Sequence, residues 1–405
     1  MRTNPMLLIP PVVLAALALD SAAGCSLGSA PPAPPADGSS ADAGPSDDAP
    51  NDDAPNDDVP NDDAPSGCAG ELVALPGEAL GALAATTDGF LYIAGAPNFG
   101  GSWQLAELDL TSRSLTPVIQ LDNAYTYEHW IELNGDEVSV FEFYPSGDKH
   151  TFHRGTRQVS RSSPSVEPNA NAYEHDGSLY YAHVGSGDAC SNVCILRDDQ
   201  SGAPPTELVD DGDEDFTIHT GAVYFLDDYV YFMTYQSAFD SPGNNALRRI
   251  SLDTGELEVV FPFEGPRVNA WIYEPVRSPS GLVYWLRYEQ ETFESPWLYF
   301  IDRHDPATGS TEAGFIRDLG HDARSLELHD EQLLWVDSGG LRAARAVAGA
   351  TPRTLAALPD DYESALLYFT VEGDRAFYAR TVMAAGERDA SVGCALLTSS
   401  SGAAE

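Results

Sequence analysis

Histidine, glutamate and aromatic residues recur at matched positions along the chain, in patterns suited to ligand binding or proton transfer. Tyr127-Glu128-His129 and Tyr173-Glu174-His175 repeat the same three residue types, and Trp271-Ile272-Tyr273-Glu274 has a similar composition. Imidazole and carboxylate groups held close together act as general acids and bases or as metal ligands. Because no His-x-His or His-Glu-x-x-His spacing accompanies them, shared water-facing polarity is the simpler interpretation, and no catalytic or metal residue is assigned.

A second polar pattern consists of an asparagine or aspartate followed by alanine. If these residues enter equivalent strands, they form a polar ring around the mouth of a channel, where a ligand would bind. Asn and Asp also serve turns, so a structural role stays open. Together the two patterns give the candidate ligand-binding residues His129, His175, Asn123, Asn171, Asn269, Trp271, Glu274, Arg324 and Tyr362.

The strands that would position these residues follow a short repeated phrase, a tight turn and then an apolar, often aromatic run. Asp-Gly and Asn-Gly supply the positive φ angles of a two-residue hairpin turn, so each phrase predicts a hairpin. The copies recur every 42 to 53 residues, which is room for four short strands per repeat. The seven turns are Asp88-Gly89, Asn134-Gly135, Asp176-Gly177, Asp227-Asp228, Ser280-Gly281, Asp330-Glu331 and Glu372-Gly373.

This spacing predicts an all-β domain over residues 68–405, a seven-bladed β-propeller. The last repeat has one strand too few, whereas Glu71-Leu72-Val73-Ala74-Leu75-Pro76 precedes the first repeat without a partner. Pairing this N-terminal strand with the last blade would close the ring and remove open sheet edges. Six blades is the alternative, because either Ala222–Leu226 or Tyr229–Tyr235 can serve as the second strand of the fourth repeat. Tyr229–Tyr235 is preferred, since Leu247–Asp253 then forms the third strand.

The cysteines fit an exported domain with two disulfides. Cys68 immediately precedes the unpartnered strand and Cys394 lies in the last strand, so a Cys68–Cys394 bond would lock the closure. Cys190 and Cys194 form the other candidate pair. Their spacing also suits half of a metal site, but no second Cys or His cluster accompanies it, so a disulfide is favoured.

The N-terminus resembles a bacterial lipoprotein signal peptide, with a short apolar run and small residues before Cys25. The resemblance implies a signal peptide over residues 1–24 and lipidation of Cys25, although Ala22 replaces the usual leucine. A plain secretory signal is the alternative. Residues 25–67 contain ten aspartates, many prolines and no aromatic residue, a composition that predicts a disordered, extended tether.

The repeated domain resembles extracytoplasmic β-propellers with Asp-x-x-Thr-Gly turns, represented by Asp305-Pro306-Ala307-Thr308-Gly309. The resemblance concerns the fold alone. The residue after Thr-Gly is not the tryptophan of quinoproteins, and phosphate loops, dinucleotide fingerprints and serine elbows are absent, so no cofactor is expected. A net charge of −42 disfavours nucleic acid as a partner.

These observations lead to one functional hypothesis and one alternative. The first is a monomeric, non-enzymatic protein, anchored by lipid to the outer membrane or cell surface, whose propeller binds a protein or a glycan. The alternative is an extracellular polysaccharide hydrolase or lyase that uses channel Glu and His residues. The fold cannot decide between them, because propellers host both activities.

Overall fold

The computed structural model describes residues 68, 70–75, 78–97, 103–121, 131–141, 149–162, 172–184, 193–199, 201, 203–210, 216–235, 245–263, 269–290, 294–317, 319–358, 364–384 and 387–397. All of them belong to the unit that contains Gly67–Glu405. Within these ranges every regular element is a β-strand, and no helix with the length and hydropathy needed to span a lipid bilayer is found there. Cys25 and the residues predicted to form the signal peptide and the tether lie outside the described ranges.

The strands form seven four-stranded antiparallel sheets within the described ranges. The first strand, β1, is Gly70–Ala74. Sheet one contains β2 (Glu78–Ala85), β3 (Phe90–Pro97), β4 (Gln104–Asp109) and β5 (Ser114–Gln120). Sheet two contains β6 (Ile131–Asn134), β7 (Glu137–Phe141), β8 (Lys149–His153) and β9 (Gln158–Ser162). Sheet three contains β10 (Ala172–His175), β11 (Ser178–Val184), β12 (Val193–Asp198) and β13 (Thr206–Asp210).

The remaining strands repeat the pattern. Sheet four contains β14 (Thr217–Leu226), β15 (Tyr229–Tyr235), β16 (Ala246–Ser251) and β17 (Leu257–Pro262). Sheet five contains β18 (Asn269–Arg277), β19 (Val283–Gln290), β20 (Leu298–Asp305) and β21 (Ser310–Ile316). Sheet six contains β22 (Arg324–His329), β23 (Gln332–Asp337), β24 (Gly340–Arg345) and β25 (Arg353–Ala357). Sheet seven contains β26 (Ser364–Glu372), β27 (Arg375–Ala384) and β28 (Glu387–Leu396), with β1 at its edge.

The hairpins form where the turn phrase predicts them. In sheet three, β10 pairs with β11 so that Tyr173 lies opposite Tyr180 and His175 opposite Ser178. The turn residues Asp176 and Gly177 have φ angles of 47° and 76°. Both values lie in the left-handed region that a two-residue type I′ turn requires.

Several sheets pack through their first strands, whereas sheet three contacts β14 of sheet four through β11 and β12. β2 contacts β26 and β6, while β18 contacts both β14 and β22. All eight residues of β19, a second strand, are buried, whereas all five residues of the outer strand β9 are exposed. First strands that meet at the centre, buried second strands and solvent-facing outer strands fit a β-propeller.

The edge of sheet seven is provided by β1. This strand pairs antiparallel with β28, with Gly70 opposite Cys394 and Val73 opposite Val392. The predicted Cys68–Cys394 disulfide is confirmed, and its Cα atoms are 5.1 Å apart. Cys194 is also disulfide-bonded, while Cys190 lies outside the described residues.

The structure differs from the sequence prediction in three of its strands or pairs of strands. β2 was not predicted, because its Ala- and Gly-rich sequence carries a weak strand signal. β28, the strand predicted to contain Cys394, begins seven residues earlier at Glu387, since pairing along all of β27 extends it through polar residues. The segments Ala222–Leu226 and Tyr229–Tyr235, treated as competitors for one position, are successive strands of sheet four.

Candidate functional site

Four aromatic residues cross sheet five and form what is called here the aromatic row: Trp271, Tyr288, Trp297 and Tyr299. Trp271 of β18 lies opposite Tyr288 of β19, which lies opposite Tyr299 of β20. The ring centroids of Trp271 and Tyr288 are 6.2 Å apart and nearly parallel, and those of Tyr288 and Tyr299 are 5.7 Å apart. Trp297 packs edge-on against Tyr288 at 4.9 Å. Cross-strand register therefore aligns three aromatic rings on one face, and Trp297, which directly precedes β20, adds a fourth ring beside Tyr288.

The aromatic row is held in place by hydrogen bonds from its neighbours. The Tyr224 hydroxyl of sheet four donates to the Ile272 carbonyl at 3.2 Å, and the Ile272 amide donates to Met233 Sδ at 3.0 Å. Behind the row, the hydroxyl groups of Tyr273 and Tyr288 are 2.8 Å apart. Tyr288 is buried, while Trp271, Trp297 and Tyr299 keep partly exposed surfaces. The row is thus a fixed surface with three accessible rings.

Ionisable residues lie at both ends of the aromatic row. His219 of β14 meets Trp271 edge-on at 4.1 Å, and burial lowers the pKa of this imidazole to about 4, so it is neutral at pH 7. At the other end, the Tyr299 hydroxyl donates to Asp322 Oδ1 at 3.3 Å. Burial, reinforced by the charge of Asp322, raises the pKa of Tyr299 to about 12, while the nearby positive charge of Arg324 acts in the opposite direction.

This arrangement can bind a flat, partly apolar ligand and orient it with polar groups. Aromatic rings offer apolar faces at low cost in conformational entropy, because each side chain has two rotatable bonds. A hydroxyl, a carboxylate and a guanidinium at the Tyr299 end can hydrogen-bond the ligand edge. The neutral imidazole at the Trp271 end is in the protonation state that a general base requires.

A second group of polar residues, called here the His175 cluster, consists of His175, Asp176, Asp228 and Asp253. His175 Nε2 lies 3.9 Å from Asp176 Oδ2, 3.9 Å from Asp228 Oδ1 and 3.6 Å from Asp253 Oδ1. These residues occupy the first hairpin turns of sheets three and four and the β16–β17 turn. The corresponding end of β18 is Arg277, about 20 Å along the strand from Trp271, so the cluster and the aromatic row lie at opposite strand ends.

The residues predicted from sequence are divided between these places. The structure brings Trp271 into the aromatic row and Arg324 close to its Tyr299 end, and it puts His175 in the second cluster. Asn269 and Glu274 belong to β18. His129, Asn123, Asn171 and Tyr362 lie outside the described residues, so the predicted polar ring stays a prediction.

Sequence reasoning missed most of the aromatic row and all three aspartates around His175. Tyr288 and Tyr299 occur in strands that were predicted, and the strand register that sets them beside Trp271 was the missing signal. Asp228 and Asp253 belong to two different turns, separated in sequence by β15 and β16. Their proximity to His175 depends on how sheets three and four pack against each other, and no local sequence motif predicts that packing.

The sequence matches no protein-family model and no curated protein. Solved structures do resemble the chain. Oligogalacturonate lyase from Vibrio parahaemolyticus has a TM-score of 0.51 at 10% identity, covering 80% of this chain and 92% of that one. An oligogalacturonate lyase in complex with manganese has a TM-score of 0.49 at 14% identity, covering 76% and 86%. A polysaccharide lyase has a TM-score of 0.49 at 9% identity, covering 78% and 90%.

At these identities the likeness concerns the fold. Together with the small antiparallel sheets, the likeness to the Vibrio parahaemolyticus structure supports an all-β fold of the β-propeller type.

Proposed function

We propose that this protein is an exported propeller that binds a saccharide on the aromatic row. The observation that carries the proposal is the alignment of Trp271, Tyr288 and Tyr299 across three strands of one sheet, with Trp297 packed on Tyr288. The carbon-bound hydrogens of a sugar ring form an apolar face, which loses water favourably when it packs on an aromatic ring. The partly exposed rings of Trp271, Trp297 and Tyr299 provide such a surface.

The polar residues around the aromatic row can orient a bound sugar through hydrogen bonds. Sugar hydroxyls both donate and accept hydrogen bonds, so they can pair with the Asp322 carboxylate and the Arg324 guanidinium. The chain carries a net charge of −42, which repels polyanions at long range. A neutral or sparsely charged glycan therefore suits this surface better than a densely anionic one.

Cleavage of a polysaccharide is the second candidate function. Two observations favour it: the structural neighbours include oligogalacturonate lyases, and the neutral His219 imidazole stands at 4.1 Å from the ring of Trp271. A lyase needs a base that removes a proton from the carbon next to a carboxylate, and a neutral imidazole can accept one. Such a reaction requires a uronate, so the choice of substrate separates the two functions.

Binding of neutral and uronate oligosaccharides to the full chain tests both functions. A saccharide is expected to bind the wild type, and Trp297→Ala is expected to weaken that affinity at least tenfold because one stacking face is lost. Trp297→Phe is the matched control and should keep most of the affinity. Isothermal calorimetry measures binding, and ultraviolet absorbance of unsaturated products reports lyase activity.

Each result has a defined meaning. Binding without new absorbance supports a binding protein, whereas absorbance with a uronate substrate supports the lyase. Equal affinities of Trp297→Ala and the wild type would contradict the role of the aromatic row. If none of the saccharides binds, the glycan proposal fails and a protein partner becomes the remaining candidate.

The proposal also covers the architecture of the domain. The seven sheets are proposed to be the seven blades of one ring, with β1 completing the last.

The proposed location is the outer membrane or cell surface. Residues 25–67 are proposed to tether this monomeric domain there through lipid on Cys25. Cys25→Ser is expected to move the protein from the membrane to the soluble fraction, measured by fractionation and immunoblotting. Retention of the variant in the membrane would contradict the anchor.

A further inference from the structure

The His175 imidazole is held with its outer nitrogen facing three carboxylates. The ring packs beside Tyr173 and edge-on to Tyr180, with centroids 6.3 and 6.2 Å away. Nε2 is inaccessible to solvent and has no hydrogen-bond partner in the described part of the chain, and the whole side chain is only 16% exposed. A buried nitrogen without a partner is costly, so this atom calls for a ligand of its own.

The distances around Nε2 fit a shared ion better than direct hydrogen bonds. An N–H···O hydrogen bond places its heavy atoms about 2.7–3.2 Å apart, whereas the nearest carboxylate oxygen, of Asp253, is at 3.6 Å. Two ligands that each lie about 2.1 Å from a tetrahedral ion are about 3.4 Å apart. The ligand atoms of His175, Asp176 and Asp253 all lie within 4.8 Å of one another.

Hydrogen bonds between the turns keep these ligands together. The Leu252 amide donates to the Asp228 carbonyl at 2.8 Å, which joins the two turns of sheet four. The Tyr180 hydroxyl donates to the Leu252 carbonyl at 3.5 Å, which joins them to sheet three. The proposed metal ligands are therefore held close together before an ion binds.

Two nearby arginines form ion pairs with carboxylates outside the cluster. Arg197 is bonded to Asp199 at 2.7 Å, and Arg277 to Asp227 at 2.7 Å. The cluster itself carries three carboxylates and one imidazole, so it has an excess of negative charge that a divalent cation would neutralise.

We infer that the His175 cluster is a site for a divalent transition-metal cation of the Zn²⁺ type, bound by His175, Asp176 and Asp253, with the Asp228 carboxylate nearby as additional negative charge. One imidazole nitrogen with carboxylate oxygens suits such an ion, whereas Ca²⁺ and Mg²⁺ select oxygen ligands alone. The ion would link the first turn of sheet three to the β16–β17 turn of sheet four. This site is independent of the aromatic row and of the proposed saccharide.

Calorimetric titration of Zn²⁺ into the untagged full chain, freed of metal by chelation, tests the inference. One ion is expected to bind per chain and to raise the Tm. His175→Gln is expected to lower the affinity at least tenfold. His329→Gln is the matched control, because His329 also ends the first strand of its sheet, and its Nε2 atom lies 3.4 Å from Asp330 Oδ2. This variant should bind Zn²⁺ with the same affinity as the wild type.

Asp253→Asn provides a second variant, since this carboxylate is 64% exposed and its change should not disturb folding. It too is expected to weaken Zn²⁺ binding at least tenfold. The inference is overturned if Zn²⁺ fails to bind the wild type, or if both variants bind it as the wild type does. Tighter binding of Ca²⁺ than of Zn²⁺ would also overturn it, because the imidazole would then have no role.

Discussion

Replacing Asp302 with asparagine is expected to lower the free energy of unfolding by about 3–5 kcal/mol, the cost of removing one partner from a buried ion pair. Asp302 is fully buried. Its Oδ2 accepts hydrogen bonds from Trp285 Nε1 at 3.0 Å and Arg287 Nε at 2.6 Å. Its Oδ1 accepts from Arg287 Nη2 at 3.2 Å and the Gly314 amide at 2.6 Å.

An asparagine of nearly the same shape turns one acceptor into a donor and removes the charge. At least one buried N–H group then loses its acceptor, and Arg287 keeps only Glu289 as an ionic partner. Urea unfolding of the two chains, monitored by tryptophan fluorescence, measures the loss.

The control for this prediction is Glu312→Gln in the same sheet. Glu312 Oε2 lies 2.7 Å from Arg303 Nη2, but the two side chains are 42% and 35% exposed. Solvent screens such a pair, so its loss should cost at most about 1 kcal/mol. Similar losses for Asp302→Asn and Glu312→Gln would mean that the buried network adds little to stability.

A comparable network occurs in sheet six, where Asp337 accepts hydrogen bonds from Trp335 Nε1 at 3.3 Å and Arg342 Nε at 3.0 Å. In sheet five the tryptophan and arginine belong to the second strand and the aspartate to the third. In sheet six the tryptophan and the aspartate belong to the second strand and the arginine to the third. The spatial arrangement repeats while its order in sequence changes, so a search for repeated motifs does not find it.

The part of the fold that could be predicted is the part encoded locally. A two-residue turn of left-handed residues followed by an apolar strand is decided within about six neighbouring residues, so the Asp176-Gly177 hairpin follows from its own sequence. Strand β2 could not be predicted in the same way. Its small residues become buried only through tertiary packing: Gly81 lies against Trp103, Ala82 and Ala84 pack with residues of sheets one and two, and Ala85 packs with sheet seven.

The candidate site shows the same division. Trp271 stood out because it belongs to a segment rich in polar and aromatic residues, and Arg324 because it follows an Asp-Ala pair. Tyr288 and Tyr299 join them only through strand register, and Asp228 and Asp253 approach His175 only through the contact between two sheets. These relations are long-range, and a single sequence contains no direct record of them.

Removal of the Cys68–Cys394 disulfide in the double variant Cys68→Ala/Cys394→Ala is expected to lower stability by up to about 5 kcal/mol. The bond joins residues 326 positions apart, so breaking it restores much conformational freedom to the unfolded chain. For a domain of this size, that loss corresponds to a Tm lower by roughly 5–8 °C. Differential scanning calorimetry measures the change.

The same variant should loosen β1 more than the rest of the domain. β1 contacts β28 along Gly70–Ala74, and without the disulfide these backbone hydrogen bonds and the packing of Leu72 and Val73 in the core hold it at the edge of sheet seven. Amide hydrogen exchange in β1 is therefore expected to accelerate more than exchange in the buried strand β19. Val73→Ala is the control, because it removes side-chain packing from β1 and leaves the covalent link. If the double variant melted within about 1 °C of the wild type, with β1 equally protected, strand pairing alone would be enough to hold the first strand in the last sheet.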